Sequence, residues 1–143
     1  MRYVPAEIRH LVNQRALGRC EYCRLSQEGQ EATFHIDHII LVAAGGQTIV
    51  ENLALACVSC SLRKAARQTA IDPETGEEVT LYHPRRERWS EHFRWETVRV
   101  IGQMATGRAT VAALDMNRPL IFAIRQEEEK LGRHPPPSTA LIV

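Results

Sequence analysis

Residues 34–64 read FHIDHIILVAAGGQTIVENLALACVSCSLRK, and the rest of the chain is arranged around them. The stretch holds an adjacent acid and imidazole, Asp37 and His38, then a Gly45-Gly46 turn, then Asn52, then a CxxC pair, Cys57 and Cys60. A second CxxC, Cys20 and Cys23, stands upstream, and the two pairs use all 4 cysteines of the chain. In a reducing compartment two such pairs are metal ligands more often than disulfides, and four thiolates suit the tetrahedral preference of Zn²⁺. Residues 24–56 separate the pairs, a longer gap than a simple zinc ribbon needs. Something folded must fit inside it.

The pattern within the gap predicts what that is. Thr33 to Ile40 has strand composition, Leu41 to Glu51 reads as a loop turned at the glycine pair, and Leu53 to Ala56 reads as a second strand. Val58 to Thr69 then has helical composition with a basic outer face. Upstream, Pro5 to Leu17 predicts a helix with Ile8, Leu11, Val12 and Ala16 on one apolar face, His10 off it and Gly18 as its stop. Arg24 to Ala32 is a polar loop. Downstream come a turn at Asp72 to Gly76, a strand over Glu78 to Tyr82 ended by Pro84, and Trp89, Phe93 and Trp95 as packing aromatics. A strand over Glu96 to Ile101 and helices over Thr106 to Met116 and Pro119 to Leu131 complete the chain, with Val111, Leu114, Leu120, Ile121 and Ile124 as apolar packing positions.

The fold class expected is α+β: a strand–loop–strand–helix core clamped by a four-cysteine zinc, with an N-terminal helix and C-terminal strand and helix additions. We expect a single domain over residues 1–132, its motif core at 20–69 and an extension at 71–132. Residues 133–143, HPPPSTALIV with one residue before it, are expected to be a flexible proline-rich tail. The N-terminal MRYVPAEIRH has no apolar signal-peptide core, and the longest apolar run, Ile39 to Ala44, cannot span a bilayer. A cytoplasmic protein with no membrane partner is expected.

A net charge of +1 and a pI near 7.8 do not mark a nucleic-acid binder, so charge must be read locally. Arg63, Lys64 and Arg67 are expected on one helix, and Arg85, Arg86 and Arg88 form a short run. Phosphate contact and an ordinary solvated face are both open for them.

The order CxxC, DHI, GG, NL, CxxC, with Lys64 closing it, resembles the HNH endonuclease family. The flanking VPAEIRHLVNQRALGRCEYC, IDPETGEEV and HPRRERWSEHF look like a bacterial branch of it. The resemblance implies a ββα-metal fold and metal-dependent hydrolysis of DNA phosphodiesters, with RNA also possible. It implies His38 as general base, Asp37 as ligand of Mg²⁺ or Mn²⁺, Asn52 as the residue steadying loop and base, and position 61 as a second ligand. Arg63, Lys64, Arg67, Arg85 and Arg86 would then meet phosphates.

Residue chemistry agrees with the first two roles. An imidazole with a pKa near ~6.5 can take a proton at neutral pH, and a carboxylate is a hard ligand for such cations.

One position departs from the pattern. Ser61 stands where the family usually has Asn or His, and a hydroxyl is a weaker ligand. Three outcomes are open: Ser61 reaches the ion directly or through water, His83 or His92 substitutes for it, or the domain is a catalytically impaired, zinc-stabilised nucleic-acid-binding module. Strand geometry adds a condition, because neighbours point to opposite faces and Asp37 and His38 share a site only where the pleat breaks. We expect that break at the strand exit. Period-two geometry would otherwise pair His35 with Asp37, leaving His35 either an exposed strand residue or a contact beside the site.

Overall fold

A computed structural model describes residues 3–137. Its centre is an antiparallel pair, β1 (His35–His38) and β2 (Leu53–Ala56), in the register His35↔Ala56, Ile36↔Leu55, Asp37↔Ala54 and His38↔Leu53. All four β2 residues are buried, whereas in β1 His35 is exposed and Ile36, Asp37 and His38 are half-buried. That difference follows from composition, since LALA offers only apolar side chains and HIDH carries three polar ones. The ladder runs unbroken through His38, so the interruption expected of the pleat is absent within the strand.

Cys57 turns β2 into α2 (Val58–Lys64), its sulfur accepting from Cys60 N at the helix start. The strand–loop–strand–helix order is therefore present, and the fold is α+β with a ββα-metal core. The helix is shorter than expected. Ala65 adopts φ 45°, outside the right-handed helical region, and ends it one turn early. Residues after it form a hairpin, β3 (Thr69–Ile71) with β4 (Glu78–Thr80), so Arg67 is off the helix and the predicted helical Thr69 is in a strand.

The loop between β1 and β2 is held by Asn52. Its Oδ1 accepts from Ile40 N at 2.9 Å, while its Nδ2 donates to Ile40 O at 2.9 Å and Gln47 O at 2.8 Å. Gly45 sits at φ 95°, and a Cβ on Gly46 would overlap the Ile40 carbonyl, so the glycine pair is a steric requirement of this closure. α1 (Ala6–Arg15) packs on β2 through Val12, with Ala16 buried beyond its end. Arg15 reaches across to donate to Val50 O and Leu53 O at 2.8 and 2.6 Å. Leu11, expected on the apolar face, is exposed.

The C-terminal additions are α3 (Trp89–His92), β5 (Phe93–Glu96), β6 (Arg99–Gly102), α4 (Ala105–Ala113) and α5 (Pro119–Lys130). Where one strand was expected at 96–101, β5 and β6 make a hairpin turned at Thr97, which sits at φ 54°. The turn carries no glycine, so its sequence does not announce it. Asn117 closes on β6 by bonding both Val100 N and Val100 O. Trp89, Phe93, Leu114, Met116 and Ile121 are buried in the same hydrophobic cluster as Tyr22, Leu53 and Leu55. Leu120 is exposed and takes no part.

Two ties bind the periphery. Asp72, in the β3–β4 turn, accepts both Arg108 Nε (3.0 Å) and Nη2 (2.8 Å) from α4. Glu74 N and Thr75 Oγ1 fill its remaining acceptor sites at 3.0 Å each. At the end of α5, Arg133 pairs with Glu128 at 2.7 Å, and His134 is buried with its ring edge-on to Trp95. Of the expected tail, residues 138–143 lie outside the described residues. Among the described residues no helix is long and apolar enough to cross a membrane.

Candidate metal centres and catalytic groove

The four cysteines converge although 33 residues separate the pairs. Their sulfurs all lie within 4.8 Å of one another, all four residues are buried, and Cys23 Sγ is 3.7 Å from Cys57 Sγ. Zn–S bonds of ~2.3 Å in a tetrahedron put sulfurs roughly 3.8 Å apart, so the set fits Zn²⁺. Each knuckle is shaped by its own backbone, with Cys23 N directed at Cys20 Sγ (3.5 Å) and Cys60 N at Cys57 Sγ (3.4 Å). Hydrogen bonding among the sulfurs, led by that to Cys20, holds the Cys57 and Cys60 thiols above their ordinary range. A divalent ion would replace the shared protons with a stronger attraction.

Guanidinium groups lie around the cluster. Arg24 is buried over the Trp89 ring at 5.5 Å, and Arg125 is buried with its Nη2 on Met116 O at 2.7 Å.

On the other side of β1 runs a groove of about 820 Å³ bordered by Arg9, His35, Asp37, His38, Val42 and Ser61. Asp37 and His38 thus line one cavity without a pleat break, because His38 is the last residue of its strand and the groove wraps that end. His38 Nε2 lies 2.9 Å from Thr48 Oγ1, a loop hydroxyl that fixes the ring. On the face that period two predicts, His35 Nδ1 lies 2.9 Å from Ser61 Oγ, and Ser61 Oγ lies 3.5 Å from Asp37 Oδ1.

Asp37 is an acid under tension. Burial pushes its carboxyl above the ordinary range, opposed by Lys64. Its Oδ2 is buried with no hydrogen bond, and its nearest cation is Lys64 Nζ at 3.4 Å. A buried carboxylate oxygen left unsatisfied is costly unless a cation meets it. Lys64 meets that oxygen, and Oδ1, 3.5 Å from Ser61 Oγ on the groove side, is the hard oxygen donor that fits a divalent ion.

The basic residues divide. Lys64 is buried, and its amine donates to His38 O (3.3 Å) and Ile39 O (3.0 Å), so it braces the strand end and does not face outward. Arg85 is likewise turned inward, paired with the buried Glu21. Arg63, Arg67 and Arg86 are exposed. Arg67 and Arg86 flank a second cavity of about 360 Å³, which His83 also lines. His92 is buried against Tyr82 and Glu87. Neither histidine borders the groove at Asp37, so neither replaces the missing ligand.

Sequence reasoning did not find Thr48 or Arg9. Thr48 had no signal beyond lying in the loop, and Arg9 becomes a groove residue only because α1 packs on β2.

This cysteine-clamped ββα core defines the class of protein. The sequence model of the HNH endonuclease family matches residues 20–67, from the first cysteine to just past α2. The match covers the cysteine-clamped core alone, and it supports a nuclease-type, nucleic-acid-related function for that part of the chain. No curated protein and no solved structure matches the chain.

Proposed function

We propose that this protein is a metal-dependent endonuclease that hydrolyses DNA phosphodiester bonds in the groove beside β1. The observation that carries the reading is the convergence of Asp37, His38 and Ser61 on one solvent-open groove within the HNH domain. Asp37 and Ser61 would hold the divalent ion, Mg²⁺ or Mn²⁺, which would offset charge on the scissile phosphate.

His38 takes the proton from the attacking water. The 2.9 Å contact between Nε2 and Thr48 Oγ1 orients the ring for that task. Asn52 supports this by closing the loop that carries Thr48. Arg9 borders the groove, and the exposed Arg63, Arg67 and Arg86 would meet phosphates beyond it, whereas Lys64 and Arg85 act from within: Lys64 holds the Asp37 carboxylate and Arg85 braces Glu21. Recognition through the phosphate backbone gives binding that weakens steeply with salt.

Plasmid nicking tests the proposal, with Mg²⁺, Mn²⁺ or EDTA and with His38→Ala and Ser61→Asn beside wild type. The expected result is ion-dependent cleavage that His38→Ala lowers by ~10²–10⁴-fold. Cleavage surviving both EDTA and His38→Ala removes the mechanism. The hydroxyl at Ser61 favours one rival, an impaired nucleic-acid-binding module. It is the correct reading if wild type and Ser61→Asn both shift DNA on a gel and neither cuts.

A further inference from the structure

Three ligand-capable atoms from two elements meet at the mouth of the groove. His35 and Asp37 are two apart on an unbroken strand, so their side chains leave from one face. Ser61 comes from α2, held in place by its neighbour Cys60 in the cysteine cluster. The separations are 2.9 Å from His35 Nδ1 to Ser61 Oγ and 3.5 Å from Ser61 Oγ to Asp37 Oδ1. Adjacent ligands of an octahedral ion with bonds of ~2.1 Å lie about 3.0 Å apart. The hydrogen-bonded trio therefore has nearly the spacing of a coordination sphere. His35 is exposed, so an ion in solvent can reach it. Asp37 Oδ2 faces Lys64, which leaves Oδ1 as the oxygen presented to the trio.

Resting on the reading of Asp37 as a cation ligand, we propose that His35 is a direct ligand of the same ion and that the site selects Mn²⁺, Co²⁺ or Ni²⁺ over Mg²⁺. Imidazole nitrogen suits the later divalent metals, whose affinities for such donors rise along the series, whereas Mg²⁺ keeps oxygen ligands and water. A nitrogen from the strand compensates for the weak donor on the helix. His83 and His92 are elsewhere, so His35 is the histidine that can do this together with Asp37 Oδ1 and Ser61.

The test is calorimetric titration of the zinc-loaded protein with MnCl₂, NiCl₂ and MgCl₂, using wild type, His35→Ala, Ser61→Ala and Asp37→Asn. Zinc content and circular dichroism confirm that each variant is folded. Wild type should bind Ni²⁺ more tightly than Mn²⁺ and Mn²⁺ more tightly than Mg²⁺. His35→Ala should lose about tenfold or more for Ni²⁺ and Mn²⁺, with Mg²⁺ little changed and Ser61→Ala less affected.

Unchanged Mn²⁺ and Ni²⁺ binding in His35→Ala overturns the assignment, as does a wild type that prefers Mg²⁺. An Asp37→Asn protein that binds like wild type overturns it together with the reading beneath it. His35-dependent binding without plasmid nicking upholds the ligand and removes the nuclease. In the unmodified protein, substoichiometric Mn²⁺ should broaden the ring signals of His35 before those of His83. Equal broadening also counts against the proposal.

Discussion

Thr48 allows the orientation of His38 to be separated from its chemistry. Thr48→Val keeps the shape and removes the 2.9 Å contact to Nε2, so kcat for nicking should fall by about 10–100-fold with KM little changed. The hydrogen bond itself is worth only ~1 kcal/mol of stability, and a melt should show little else. An unchanged kcat would mean that the ring is positioned by something other than Thr48. Lys64 is a different case. Its side chain is 3% exposed and that of Asp37 13%, so Lys64→Met strands a buried carboxylate. Removing one partner of such a pair costs about 3–5 kcal/mol, readable in a denaturant titration of zinc-loaded protein. Adding Asp37→Asn should recover part of the loss, since no charge is then left unpaired. If the two losses simply add, the amine works mainly through its bonds to His38 O and Ile39 O.

Elements were legible where single residues dictate them. The cysteine pairs, the Gly45-Gly46 closure and Asn52 each impose a local geometry that no other residue would supply so readily, and Pro119 marks the first turn of α5 where expected. Boundaries set by backbone choice were not legible. α2 stops at Ala65 and the β5–β6 hairpin turns at Thr97, both ordinary residues at positive φ, which their residue types do not announce. The inward turn of Lys64 and Arg85 was also hidden, because their acidic partners are 27 and 64 positions away in the chain, as the pairs Lys64–Asp37 and Arg85–Glu21 show.

The hairpin of β3 and β4 carries a pH prediction of its own. Bonds from Arg108, first, and then from Glu74 N and Thr75, hold the Asp72 carboxyl well below the ordinary carboxylate range. A depressed carboxyl contributes stability that is fully present above the unfolded pKa of ~3.9 and is lost as pH falls towards the folded value. Asp72→Asn should therefore melt below wild type by the same margin at pH 8 and pH 5. A margin that closes between those values would show that Asp72 is not the group responsible.

At the scale of the molecule, one buried cluster joins α1, β2, the cysteines and the C-terminal helices. We expect one cooperative thermal transition with a Tm that depends on zinc. Stripping the metal with a strong chelator should lower that Tm sharply and abolish near-ultraviolet ellipticity from Trp89, because metal binding energy of this kind is folding energy. Two transitions, one insensitive to the chelator, would separate the additions from the core. The adjacency of Cys60 and Ser61 extends the point. A cysteine oxidised to a sulfenic acid or disulfide can no longer anchor the start of α2, and with it goes the register of the serine that borders the groove. On the proposed reading, oxidation at the sulfurs thus reaches the groove through α2, and cleavage would depend on the cysteines holding their metal.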